Sequence, residues 1–141
     1  MIQTISDKLK DILQTLEWDN KPFVKVLDFH TLENEWYPYL TFEPVGFDAN
    51  ISDSCNNDRT YRYQVLIFQE ITESGWRKEA KEIISKAISD VVGLLDSNYT
   101  LDWTVTMVNP VGANIEPVLI NNWKALVADL TINVRTIEFI N

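Results

Sequence analysis

His30 is the only histidine of the chain, and it lies in the dense donor run Asp28-Phe29-His30-Thr31-Leu32-Glu33-Asn34-Glu35. Oxygen and nitrogen donors at that density could hold a divalent cation. The run has no second histidine, no HExxH helical spacing and no cysteine cluster beside it, so it reads as an acidic surface loop. Cys55 is the only cysteine, which rules out an intrachain disulfide and fits a reducing compartment. A Cys55–His30 thiolate pair matches no family signature for nucleophilic catalysis. Asp48, Asn50 and Ser52 open like a calcium loop. Asp53 then stands where the loop needs glycine, and Arg59 where it needs its closing glutamate. No GxSxG turn is present. None of the 4 glycines falls in a GxGxxG or GxxxxGK phosphate loop. Pairs can always be drawn among 21 acidic residues, but none sits in an apolar stretch that would raise its pKa. The expectation is a chain with no catalytic residue, no cofactor and no metal. The alternative from another class is a small cytosolic enzyme or ligand-binding domain built on His30, Cys55 and the acidic loop. Among the 5 tryptophans, Trp36, beside Tyr37 in a polar loop, and Trp76, at a helix start, are the ones expected at a subunit contact.

The elements that would position these residues centre on Asp58 to Asp96. Tyr61, Tyr63, Val65 and Ile67 alternate with Arg62, Gln64, Leu66 and Phe68, in a run dominated by β-branched and aromatic residues. That is a long strand. Its Tyr61-Arg62-Tyr63-Gln64 end is too polar for pure core and is expected to face water or a partner. Thr72 to Gly75 break the pattern, with Ser74 placed to cap a helix. Ala80, Ile83, Ile84, Ala87, Ile88, Val91 and Leu95 then recur three or four apart, one apolar stripe on a helix that Asp96, Ser97 and Asn98 end. A second amphipathic helix comes first in the chain, through Ile2, Ile5, Leu9, Ile12, Leu13 and Leu16. Phe23 to Leu27 and Tyr39 to Glu43 read as short strands, the latter bounded by Pro38 and Pro44. Gly46 to Asn57 is polar and aperiodic and reads as a loop. Leu101, Trp103, Val105 and Met107 alternate as a half-buried strand. Asn109-Pro110-Val111-Gly112 reads as a turn, and residues 112–122 as a loop with Pro117 inside it. Leu126, Ala128, Leu130, Ile132 and Val134 make the clearest strand, with Asp129, Thr131, Asn133 and Arg135 on its other side. The expected fold is α+β: one domain over residues 1–141, in the order α-β-β-β-α-β-β. Two helices would cover one face of a mainly antiparallel sheet of four to five strands. The opposite face, with Arg62, Gln64, Asp129, Asn133 and Arg135, would be free to meet another subunit.

The formal net charge is −9, and no Lys or Arg falls between Lys25 and Arg59 or between Lys86 and Lys124. Binding nucleic acid by phosphate neutralisation needs clustered cations, so that mode is excluded. No stretch approaches the ~20 apolar residues of a membrane helix, and MIQTISDKLK has no signal-peptide apolar run.

Pro38 to Pro44, then DRTYRYQVLIFQE (Asp58 to Glu70), the helix from Arg77 and the alternating strand Ala125 to Arg135 together resemble the tail-terminator proteins of long-tailed bacteriophages. These are also called tail-completion or head–tail joining proteins. The resemblance covers most of the chain as an order and texture of elements, and the family has no catalytic motif. It implies a structural subunit of the virion, made in the host cytoplasm, that forms a homo-oligomeric ring, usually of six. Such a ring caps the tail tube, stops its polymerisation and docks to the head connector. DNA passes through the lumen without specific binding, and an acidic lumen would suit that. By the family's habit the Gly46–Asn57 and Pro110–Asn122 loops face tube or connector. Another neck or minor tail component is the nearest alternative.

Overall fold

The computed structural model describes residues 2–18, 21–22, 25–27, 39–51, 56–70, 77–101, 105–120 and 123–139. Its elements in chain order are helix α1 (Ile2–Leu13), strands β1 (Glu17–Trp18), β2 (Lys21–Pro22), β3 (Lys25–Leu27), β4 (Tyr39–Ile51) and β5 (Asn56–Glu70), helix α2 (Arg77–Ser97), and strands β6 (Met107–Ile120) and β7 (Trp123–Phe139). Strands β4, β5, β7 and β6 form an antiparallel sheet in that order, and the short β3 joins its β4 edge in parallel. β1 and β2 make a separate two-residue ladder. The architecture is the α+β fold that the apolar periodicities require. Two helices carry one apolar stripe each, and both stripes need a sheet face to bury against.

Both stripes fall on the same face. Ile5, Leu9 and Leu13 of α1 join Ala80, Ile84, Ala87, Val91 and Leu95 of α2. Beneath them lie Leu40 and Phe42 of β4, Tyr61, Tyr63, Val65 and Ile67 of β5, and Leu126 to Val134 at every second position of β7. Side chains alternate across a pleated strand, so these positions share one face and their odd neighbours point away. β5 and β7 pair without interruption from Asn56↔Phe139 to Glu70↔Ala125, which makes them the spine of the sheet. The far face has its own small core at one end, where Tyr39 stacks on Phe68 with ring centroids 4.5 Å apart beside Ala125, Leu66, Val118 and Val127.

Three segments differ from the sequence expectation. Of the Gly46 to Asn57 loop, residues 46–51 and 56–57 are strand, and residues 52–55 lie outside the described residues. β4 runs on to Ile51 and pairs through Phe47↔Tyr61 to Ile51↔Asn57, with a bulge at Pro44/Gly46. Pro44 does not close the strand: among the described residues β3 pairs only with Tyr39 to Thr41, so none of them needs an N–H from position 44. Residues 109–120 are likewise neither turn nor loop but most of β6, with a bulge at Pro110/Gly112. An edge strand tolerates prolines and bulges that a central strand would not. The strand expected through Leu101, Trp103, Val105 and Met107 starts only at Met107; Leu101 ends a turn, and Trp103 lies outside the described residues. Leu101 takes a left-handed φ of 46° with its side chain fully buried. Val105 N–H bonds back to the Thr100 carbonyl at 3.1 Å. A bulky residue in that conformation is strained, and the burial of its side chain offsets the strain. Leu101 and Val105 are both buried without belonging to a strand, which mimics alternation. The first helix stops at Leu13 rather than near Leu16, and Thr15 Oγ1 donates to the Ile12 carbonyl at 2.7 Å as the chain leaves it.

Candidate functional site

Among the described residues none covers the half of the outer sheet face away from Tyr39 and Phe68, and the strand register decides which side chains share it. Glu43 and Asp48 of β4, Asp58, Thr60, Arg62 and Gln64 of β5, Asp129, Thr131, Asn133 and Arg135 of β7, and Asn109, Asn114 and Glu116 of β6 fall there. Carboxylates outnumber cations on it. The Arg62 guanidinium lies across Gly46 to reach Asp48. A Cβ at Gly46 would stand 2.6 Å from Arg62 Nη2, so the absent side chain is what lets the arginine lie flat. Arg135 grips Asp58 with two nitrogens, Nη2 at 2.7 Å and Nε at 3.0 Å. That paired fork geometry holds the Asp58 carboxyl below the usual carboxylate range, through the hydrogen bond first and the charge second, and raises the Arg135 pKa. Gln64 Nε2 donates to Asp129 at 3.0 Å. The side-chain oxygen of Asn133 is buried in the middle of the face without a hydrogen-bond partner. Both arginines of this face are thus engaged by neighbours within the subunit, which leaves it polar, acid-rich and without a free cation to attract phosphate.

Of the residues expected at a subunit contact, Arg62, Asp129, Asn133 and Arg135 share this face. Tyr61 and Tyr63 do not. They point into the core and are buried within the monomer. The Tyr63 hydroxyl lies 2.8 Å from Ser6 Oγ of α1, and Tyr61 packs against Phe47 at 5.8 Å. The hydroxyl that made this end of β5 look like surface has a buried partner on the helix above. Trp36, Tyr37 and Trp76 lie outside the described residues, as do His30 and Cys55.

Among the described residues the exposed large apolar ones are Val45, Phe47, Tyr99, Met107, Val111, Leu119 and Ile137. Sequence reasoning weighed none of them as a site. Isolated apolar residues carry no signal, and their grouping depends on a register the sequence does not display. An open cleft of about 470 Å3 separates α1 from the end of α2, lined by Lys8, Asp11, Ile12 and residues 97–100. Lys8 and Asp11 are the charged groups of its lining. Among the described residues no group of three His, Cys, Asp or Glu side chains converges to hold a metal ion. No helix among them is long and apolar enough to cross a membrane. No model of a known protein family matches the chain, and no curated protein matches it.

Proposed function

We propose that this chain is a subunit of a phage tail terminator: it assembles as a homo-oligomeric ring, about six copies round, on the end of the completed tail tube. There it stops tube polymerisation and offers the surface to which the head connector docks, and DNA passes through the ring. The chain works as a structural part of the virion after synthesis in the host cytoplasm. One observation carries the reading. Both helices cover the same face of the sheet, while among the described residues the other face is left open, polar and acid-rich over half its area. A subunit built this way has a dry side that folds it and a wet side free for assembly or for a lumen. A net charge of −9 with both arginines of the open face already paired gives passing DNA nothing to bind.

The test is to add the purified protein to tail tubes polymerising from purified tube protein. Tube lengths are followed by negative-stain microscopy, and end binding by labelled protein. Capped tubes of arrested length, with label confined to the ends, are expected. Unchanged growth and no end label would sink the reading. Label that follows the connector and ignores tubes would move the protein to another neck position.

A further inference from the structure

We infer that subunits of this protein join head to tail, with the β4 edge of one copy seated against the β6 edge of the next. In that contact Val45 and Phe47 meet Tyr99, Met107 and Val111. The inference rests on the ring reading for closure only; the lateral contact itself is argued from the sheet.

β4, beyond the three residues that β3 pairs, and the edge strand β6 carry the same tripeptide, Pro44-Val45-Gly46 and Pro110-Val111-Gly112, and in each it forms a bulge. The register places both bulges at one height. Pro44 pairs with Tyr63, Tyr63 with Ile132, and Ile132 with Pro110, so the two prolines end a single rung of the sheet. Val45 is 52% exposed and Val111 50% exposed. The next apolar pair is level as well. Phe47 shares a rung with Val108 through Tyr61 and Val134, and Val108 N–H holds the Tyr99 carbonyl at 2.7 Å. Phe47 and Tyr99 are both about half exposed. Four of the seven large apolar residues exposed among the described residues therefore stand at matching heights towards opposite edges, about 14 Å apart at ~4.8 Å per strand spacing, and Met107 lies one position from Val108 on β6.

A second copy moved sideways in the plane of the sheet brings one set against the other. A contact between two copies of the same edge would leave the opposite set uncovered. Charge also favours this partner. Two copies of a −9 chain repel on average, and Pro44 to Phe47 and Met107 to Ile115 contain no charged residue to add to that repulsion. The contact is between side chains and does not continue the β-ladder. Val108 N–H points away from β7, so strand alternation sends position 110 outward too, where proline has no N–H to give. Different patches on the two partners make a heterologous contact, which closes into a ring or runs on as a filament.

Cysteine pairs read this geometry directly. In a Cys55→Ser background, the Val45→Cys/Val111→Cys protein is expected to give an oxidised ladder of covalent multimers on a non-reducing gel. Neither single variant should cross-link to itself, and an equal mixture of the two singles should stop at a dimer. Val111→Glu, at a half-exposed site that the fold does not depend on, should weaken self-association by about tenfold or more in sedimentation velocity. Cross-linking of the Val111→Cys single to itself would show a symmetric contact and overturn the inference. So would an oligomer that forms with no ladder from the double variant, which would leave the ring reading standing. A chain that stays monomeric at every concentration overturns it too, and tube-end binding then judges the ring reading separately.

Discussion

Tyr63 brings a phenol into the core between the sheet and α1, and Ser6 of α1 is what meets it. Burial raises the Tyr63 pKa, and the Ser6 hydrogen bond opposes that rise only in part. A phenol whose folded pKa lies above the unfolded value of about 10 favours folding fully below that value. The contribution fades as pH climbs through the folded pKa, because the unfolded chain ionises first. Chemical unfolding followed from pH 8 to 11 should therefore show stability falling above about pH 10. Tyr63→Phe should flatten that limb, at a cost of about 1 kcal/mol at pH 7 for the lost hydrogen bond. An unchanged alkaline limb would mean that Tyr63 does not govern it. Asp58 works in the opposite sense. Its lowered pKa gives a contribution present above about pH 4 and lost in acid as the carboxyl protonates, and solvent exposure keeps it small. That Tyr61 and Tyr63 share a face with Val65 and Ile67 was legible from alternation. Their burial was not, because a polar tip inside a core needs a partner, and this one comes from a residue 57 positions away.

At the scale of elements, the sequence displayed what is central and concealed what lies at the edge. β5 and β7 read correctly because their inner faces lie under the helices and each second residue must be apolar. The outer half of β4 and nearly all of β6 read as loops. Apart from Val108 and Ile115 of β6, few of their side chains join the core under the helices, and the bulged positions admit Pro44, Pro110 and Pro117. The helix stripes make a quantitative claim. Ile84 is fully buried in the middle of α2, so Ile84→Ala should cost about 2–4 kcal/mol by thermal or urea unfolding. A cost near zero would mean that α2 does not close the core. The prolines of β6 make a different claim. A long edge strand invites ladder pairing with other chains, and proline at outward-facing N–H positions blocks it. Pro110→Thr/Pro117→Thr should leave the far-ultraviolet spectrum native and raise turbidity and thioflavin binding on standing at high concentration. If the double variant stays as clear as the parent, the prolines do not protect this edge.

For the whole molecule, charge and contact chemistry oppose each other, and ionic strength separates them. Each copy carries −9, so bringing copies side by side costs repulsion that acts over the Debye length, about 10 Å at 0.1 M salt. The edges inferred to touch are uncharged and apolar, so their attraction is insensitive to screening and strengthens slightly as salt rises. The arginines of the open face are already engaged, Arg62 by Asp48 and Arg135 by Asp58, and do not stand out as bridges to a neighbour. Self-association should therefore tighten between 20 mM and 300 mM sodium chloride, by several-fold in the dissociation constant measured by sedimentation equilibrium. An interface held by ion pairs between subunits would loosen over the same range. Val111→Glu adds charge to the contact itself, so its residual association should depend on salt more steeply than the parent's. A parent that dissociates as salt rises would place the contact on the charged face, through Arg62, Arg135 and the carboxylates around them, and away from the β4 and β6 edges.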